Sequence, residues 1–249
     1  MKLTNKLLAL GLMTSAFALQ SANAANPFSG VYVGATAGMS SMNANAKNDT
    51  TQDATAANVT MNWKGKKKTT FQGNLLVGKE VYRINNDMPV AVEFTVGTTT
   101  GAEKRKETQE VAGALDPRLT KVRQTWKLGL SAVVGHKITN KMTVSGKLGV
   151  VYSNFRVDQL INDSGFTGAF DGLNRKFGKD MRLWGVEPGV RLSYDINDCM
   201  CTFVEGTYTL FQSKKQTFIN QGTAPRTEHF TTKISPRVFG LVAGFTYKM

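Results

Sequence analysis

The feature that most constrains this chain is a strict two-residue alternation of apolar and polar side chains in eight segments of about ten residues. In the last segment Phe239, Leu241 and Phe245 share one parity, and Gly240 and Thr246 share the other. Side chains alternate between the two faces of a β-strand, so this pattern predicts strands with one apolar and one polar face. The segments begin near Val31, Phe71, Val90, Val122, Met142, Trp184, Val204 and Phe239.

The links between these strands alternate between short and long. Three short links, at residues 82–87, 136–141 and 194–199, share an aromatic ring, an isoleucine two positions later and Asn- or Asp-rich turn residues. The other four links are about twenty to thirty residues of mostly Asn, Thr, Lys, Gly and Asp. Short turns at one end and long loops at the other are typical of an up-and-down barrel that crosses an outer membrane.

The chemistry of the two faces separates a membrane barrel from a soluble β-sandwich. The polar face carries charges that a sandwich core could not hold unpaired. The opposite face is nearly free of charge and carries aromatic rings near both strand ends, as expected at the two membrane interfaces. These rings are Phe71, Trp126, Tyr152, Trp184 and Phe239 towards the loops, and Tyr82, His136, Tyr194 and Tyr247 towards the turns. We therefore predict an all-β, eight-stranded antiparallel up-and-down transmembrane β-barrel with short periplasmic turns and four long extracellular loops.

Two residues conflict with the simple pattern. Tyr82 lies on the polar parity of its strand, so either a bulge intervenes or its ring points inward. Pro188 lies in mid-strand and lacks an N–H group, so we expect a bulge there or one absent ladder bond.

The amino terminus has the form of a secretory signal. Lys2 and Lys6 precede an apolar run of about a dozen residues, which is followed by Ala22-Asn23-Ala24. We expect residues 1–24 to be a cleaved signal peptide and residues 25–249 to be the barrel. No later apolar run reaches the ~20 residues that a membrane helix needs, and the net charge of +13 implies anionic neighbours.

Three segments carry a resemblance to a known family. Residues 236–249, 185–194 and 30–35 resemble strands of the porin-like or opacity-type outer-membrane β-barrel group, which is related to the transmembrane domain of outer membrane protein A. The resemblance implies that the last strand is recognised by the barrel-assembly machinery. We expect no peptidoglycan-binding domain, because the sequence stops where the predicted barrel closes. The family usually ends on Phe, whereas this chain ends on Met249.

No pattern in the sequence predicts catalysis, a cofactor or a metal site. His136 and His229 are expected at opposite rims, and neither has a recognisable Ser or Asp partner. Cys199 and Cys201 are the only thiols; they are poorly spaced for a disulfide and too few for a metal site. We interpret them as structurally incidental, with an intermolecular or redox role as the alternative.

The inward-facing charges form the first candidate site. Because an eight-stranded barrel has an interior just wide enough for side chains, buried charges there must pair with one another. We predict an ion network that plugs the lumen; the alternative is a gate that rearranges to open a narrow pore. Its predicted members are Glu80, Glu93, Lys127, Lys147, Glu187, Arg191 and Glu205.

The basic loops form the second candidate site. Their expected partners are outer-membrane lipid and lipopolysaccharide phosphates, together with host or environmental polyanions such as sulfated glycans, and no specific nucleic acid. The predicted contact residues are Lys64, Lys66, Lys67, Lys68, Lys104, Arg105, Lys106, Arg175, Lys176, Lys179, Arg182, Lys214 and Lys215. We predict a non-enzymatic outer-membrane barrel with a structural, adhesin-like surface role. The alternative is a low-conductance, porin-like channel, and a third class is a soluble exported binding barrel.

Overall fold

The computed structural model describes residues 30–52, 58–63, 68–84, 88–100, 103–111, 114–162, 174–221 and 227–249. The predicted signal peptide, residues 1–24, lies outside the described residues. The described chain contains no helix that is long and apolar enough to cross a membrane.

The described residues form eleven β-strands in one antiparallel sheet. Eight of them close into a ring in the order β1, β3, β4, β6, β7, β8, β9 and β11, and β11 pairs again with β1. This arrangement confirms the predicted eight-stranded antiparallel up-and-down barrel. The strands are β1 (Val31–Gln52), β2 (Asn58–Trp63), β3 (Lys68–Ile84), β4 (Met88–Thr100), β5 (Glu103–Val111), β6 (Ala114–Lys137), β7 (Met142–Asn162), β8 (Asn174–Asp195), β9 (Met200–Phe211), β10 (Lys214–Gln221) and β11 (Thr227–Lys248).

The three additional strands extend the barrel wall on the loop side. β2 pairs with β1, β5 pairs with β6, and β10 pairs with β11. They form hairpins with ring strands of up to 24 residues, whereas a tilted strand crosses a membrane in about 9–11 residues. Ordered β-structure therefore continues well beyond the length needed to cross a bilayer.

Tyr82 and Pro188, the two residues that conflict with the alternation, are accommodated in different ways. The pairing of β3 with β4 shifts register between Glu80 and Tyr82, which confirms a bulge there, and the Tyr82 ring points outward, 65% exposed. At Pro188 the register of β8 does not change. Its pairing with β7 is continuous, while its pairing with β9 is interrupted at residues 187–188 and resumes at Gly189. An absent ladder bond, not a bulge, accommodates this proline.

A second bulge was not predicted. The pairing of β6 with β7 shifts register between Gln124 and Trp126. Because a one-residue shift exchanges the faces of a strand, Val122 lies inside the barrel, 5% exposed, instead of on the apolar outer face where the alternation placed it. Arg123, expected on the inner face, takes the opposite side of the wall from its buried neighbours Val122 and Gln124.

Candidate functional site

Arg191 is the centre of a charged network in the lumen. Its Nη1 and Nη2 atoms donate hydrogen bonds to the two carboxylate oxygens of Glu93, at 2.5 and 2.8 Å. Its Nε donates to Glu205 Oε2 at 2.8 Å. Arg191 and Glu205 are cross-strand partners on β8 and β9, while Glu93 reaches in from β4. One guanidinium thus connects three strands of the wall through charge-assisted hydrogen bonds, the strong class of protein hydrogen bond.

Lys147 and Tyr32 complete this group around Arg191, Glu93 and Glu205, which we call the Arg191 layer. The Lys147 ammonium lies 3.0 Å from Glu205 Oε1 and 3.5 Å from Glu93 Oε2. The Tyr32 hydroxyl donates a hydrogen bond to Glu93 Oε1 at 2.8 Å. The Arg191 guanidinium also lies over the Phe203 ring, 4.3 Å from its centroid, a distance that allows a cation–π interaction. Each charged group in the layer therefore has at least two partners.

A second ion pair lies nearer the loop side. Lys127 Nζ is 3.4 Å from Glu187 Oε2, and the Thr209 hydroxyl donates to the same oxygen at 2.5 Å. Together with the Arg191 layer, this pair gives the buried network three cations and three carboxylates. The charges balance, which lowers the cost of holding them away from water.

The structure brings six of the seven predicted network residues together and places Glu80 elsewhere. Glu80 forms its ion pair with Arg83, at 2.7 Å, near the turn-side end of β3. Both residues line a cavity of about 620 Å³ that opens at the turn side and reaches inward to Tyr32 and Arg191. The prediction that Glu80 belongs to the network is therefore corrected: Glu80 borders the turn-side mouth of the lumen instead.

The loop-side half of the interior is filled by an apolar cluster. Its members lie among the most buried residues of the molecule: Phe155, Val157, Leu183 and Ile234 are 0% exposed. Phe155 and Phe211 make an edge-to-face contact, with ring centroids 4.9 Å apart. Apolar packing on the loop side and ion pairs below it leave the lumen plugged through much of its length.

The two-residue alternation did not predict this cluster, although the sequence contains a signal for it. At several points two apolar residues are adjacent, as in Val150-Val151 and Leu183-Trp184, so one of each pair must face inward. In the structure Val151 is 1% exposed while Val150 lies on the outer face. Such doubled positions are the sequence mark of a strand with apolar side chains on both faces.

The outer face of the wall carries a broad apolar surface bounded by aromatic rings. Exposed side chains between the two ends include Leu130, Leu148, Val190 and Leu241. On adjacent strands, Trp126 and Tyr152 have ring centroids 5.6 Å apart, and Tyr152 and Trp184 have centroids 4.6 Å apart. We call these three rings the aromatic ladder. The exposed aromatic side chains of the predicted girdles include Phe71, Trp184 and Phe239 towards the loops and Tyr82, Tyr194 and Tyr247 towards the turns.

The predicted basic loop residues are only partly described. Lys179, Arg182, Lys214 and Lys215 are exposed, and Lys214 Nζ lies 3.5 Å from the backbone oxygen of Arg182. Lys64, Lys66 and Lys67 lie outside the described residues. The backbones of the remaining predicted residues lie in strands, while their side chains are outside the description; these are Lys68, Lys104, Arg105, Lys106, Arg175 and Lys176.

The groups considered for catalysis or metal binding lie apart. His136 is exposed near the turn-side end of β6, and the His229 side chain lies outside the described residues. Cys199 and Cys201 are free thiols at the turn side, and both line the cavity there. Within the described ranges no group of three or more His, Cys, Asp or Glu residues is arranged to hold a metal ion.

No protein-family model matches the sequence, and no curated protein matches it. Among solved structures, the chain is similar to Neisserial surface protein A, with 18% identity, a TM-score of 0.39, and coverage of 89% of this chain and 98% of that one. It is similar to the outer membrane protease OmpT from Escherichia coli, with 12% identity, a TM-score of 0.43, and coverage of 92% and 99%. It is also similar to the outer membrane protein OprG from Pseudomonas aeruginosa, with 12% identity, a TM-score of 0.44, and coverage of 89% and 97%. At these values the likeness concerns general architecture and carries no information on activity.

Proposed function

We propose that this protein is an integral outer-membrane β-barrel with a structural and surface-interaction role. In this proposal its basic loop-side extensions contact lipopolysaccharide or other polyanions in an adhesin-like manner. The observation that carries the proposal is the plugged lumen inside a wall whose outer face is apolar. A plugged interior moves the function of the protein from transport to its outer surfaces.

The outer face supports the membrane placement. Soluble monomers rarely expose a contiguous apolar patch larger than a few hundred Å². Here exposed Leu, Val, Ile, Met and aromatic side chains occupy every ring strand, for example Met39 on β1, Val92 on β4 and Val204 on β9. Insertion into a bilayer would remove this surface from water, and a closed ring leaves no free edge in the membrane. The proposal includes export by the predicted signal peptide and insertion by the barrel-assembly machinery.

The loop-side extensions support a surface role. A strand of 24 residues such as β6 is more than twice as long as the roughly 9–11 residues with which a tilted strand crosses the membrane. The exposed cations Lys179, Arg182, Lys214 and Lys215 lie in this region. Such an array would attract polyanions through several salt-sensitive contacts.

The proposal is tested with the refolded protein in detergent. We expect a heat-modifiable shift in gel mobility, and heparin binding that weakens as salt is raised. Reversing Lys66, Lys67 and Lys68 to Glu should weaken heparin binding, while the same change at the turn-side residues Lys137 and Lys141 should not. Heparin binding that survives the loop reversal, or that shows no salt dependence, would contradict the assignment to the basic loops.

A second candidate function is a low-conductance diffusion channel. The turn-side cavity of about 620 Å³ favours it, because that cavity gives solvent access to the Arg191 layer from one side. For this function the ion network and the apolar cluster above it would have to rearrange. Planar-bilayer recordings separate the two functions: the surface role predicts no conductance above background, and stable conductance steps would favour the channel.

A further inference from the structure

We infer that Arg123, Arg156 and Arg182 form a binding site for the phosphate of an outer-leaflet lipid, on the outer face of the wall beside the aromatic ladder. The inference rests on the proposed membrane placement and deepens it by naming the residues and the ligand chemistry. Arg123 and Arg156 were not among the predicted contact residues.

The bulge in β6 is what turns Arg123 outward. Val122 and Gln124 are 5% and 6% exposed and face the lumen, so Arg123 between them lies on the outer side of the wall. The register shift follows directly, between Gln124 and Trp126. The extra residue, Thr125, exchanges hydrogen bonds with Asn154 on β7, at 3.0 and 3.1 Å, which fix the bulge in place.

The three arginines lie close together because of strand register. Arg123 is the direct cross-strand partner of Arg156, and Arg182 pairs with residue 154, two positions from Arg156 on the same face. Direct partners in an antiparallel pair have Cβ atoms about 4.5–5.5 Å apart, and like charges at that position repel. When no anion is bound, the pairing of Arg123 with Arg156 therefore destabilises this part of the barrel wall.

Nearby carboxylates compensate only part of this charge. Asp158 accepts a hydrogen bond from Arg156 Nε at 3.0 Å, and Asp180 is the cross-strand partner of Arg156. Arg123 is different: its Nε is buried and has no hydrogen-bond partner in the described part of the chain. A buried donor without a partner destabilises the folded state. An anion with several acceptor oxygens would satisfy this donor and relieve the repulsion between the two guanidinium groups.

The position of the site relative to the membrane favours the phosphate of a lipid over a soluble phosphate as its ligand. Arg123 and Arg182 lie three and two residues beyond Trp126 and Trp184 on the loop side; because Thr125 is the extra residue of the bulge, both separations are roughly 7 Å along the strands. Aromatic rings are enriched at the boundary of the hydrocarbon core, and each headgroup layer beyond it is about 5–8 Å thick. The guanidinium groups therefore lie at headgroup height, where a lipid held against the apolar face places its phosphate. Arginine suits this role because its planar fork binds phosphate oxygens in pairs.

The experiment measures binding of diphosphorylated lipid A to the full chain in nanodiscs, with dephosphorylated lipid A as the second probe and soluble heparin as the third. The variant R123Q/R182Q should bind diphosphorylated lipid A about tenfold or more weakly, from the loss of two charge-assisted contacts. Its binding of dephosphorylated lipid A should not change. The matched control, K137Q/K141Q, removes the same charge at the turn side and should bind like the wild type.

Two further variants guard against misfolding. R182Q alone replaces an exposed side chain and should still weaken binding, and R123K keeps the charge without the fork and should give an intermediate affinity. Unchanged affinity in a folded, inserted R123Q/R182Q protein would overturn the site. An equal loss for heparin would overturn the lipid as its ligand. If the wild type does not insert at all, as judged by heat-modifiable mobility and quenching of Trp184 by brominated lipid, the proposed function itself fails.

Discussion

The plug makes Arg191 the most sensitive position for the stability of the barrel. In the variant R191M the apolar stem is retained and the guanidinium is lost, so Glu93 and Glu205 lose the hydrogen bonds that they accept at 2.5 to 2.8 Å. Lys147 is then the cation left beside both carboxylates. Breaking a buried ion pair by removing one partner costs about 3–5 kcal/mol. That is a large share of the roughly 5–15 kcal/mol that stabilises an ordinary folded domain.

Urea unfolding in lipid vesicles, followed by tryptophan emission and by heat-modifiable mobility, measures this loss. We expect the unfolding midpoint of R191M to fall without a change in slope. The matched control is K141M, which removes a cation from an exposed turn-side position and should stay within about 0.5 kcal/mol of the wild type. A loss below about 1 kcal/mol in R191M would contradict this prediction, because it would mean that water or the remaining cation replaces the guanidinium at little cost.

A double variant tests whether the Arg191–Glu93 contact itself carries the effect. E93Q removes the carboxylate that Arg191 binds through two nitrogens. If the two residues act as a pair, the loss in E93Q/R191M should be smaller than the sum of the two single losses by at least about 1 kcal/mol. Additive losses would show that each side chain acts through other neighbours.

Three further predictions concern other parts of the wall. Cys199 and Cys201 are free thiols at the turn side, so a membrane-impermeant maleimide should label them only after the outer membrane is permeabilised; labelling on intact cells would reverse the proposed orientation. A Cβ at Gly38 would lie 2.2 Å from the Leu241 backbone oxygen across the β1–β11 seam, whereas one at Gly73 would meet its nearest atom at 3.7 Å. G38A should therefore lower stability by about 1–3 kcal/mol, and G73A should change it little; equal unfolding midpoints would contradict the seam geometry. Deleting Thr125 should remove the bulge while Gln124 stays opposite Phe155 and Trp126 stays opposite Asn154, so Arg123 should remain on the outer face and lipid A binding should persist; loss of that binding in the folded variant would contradict this register.

Much of the fold could be predicted because alternation is a direct consequence of strand geometry. Strand count, order and the closed ring follow from eight amphipathic segments joined by alternating short and long links. The faces of Glu93, Lys147 and Glu205 follow from the same parity, and the structure pairs these residues within the lumen. What parity does not give is partner choice: it placed Glu80 with the other inward charges, while Arg83, three residues away, holds it at the turn side.

The loop-side half was less predictable, for a physical reason. The two-residue alternation of a membrane-barrel strand is clear in the sequence only where one face contacts lipid and the other contacts polar side chains. On the loop side the interior is packed with Val157, Met181 and Ile234. The inner and outer faces of these strands are therefore both apolar at some levels along the barrel and both polar at others. Without contrast between the faces, periodicity cannot locate either the apolar cluster or the strand extensions above it.

The two bulges show what decides the faces where parity fails. In a regular strand, residues two apart share a face, so Glu80 and Tyr82 cannot be separated, nor can Gln124 and Trp126. In each pair a polar side chain is followed by an aromatic one. The polar side chain prefers the lumen, whereas the aromatic ring prefers the membrane interface. A single extra residue, Val81 or Thr125, lets both preferences be met at the cost of one unpaired position. The second bulge also reverses every face of β6 above it, so the aromatic ring of Trp126 and the outward guanidinium of Arg123 share one structural cause. A polar residue two positions before an aromatic one does not by itself predict a bulge, because Arg182 and Trp184 share the outer face of β8 in a continuous register. The bulge arises where the polar side chain also faces the lumen, as Gln124 does.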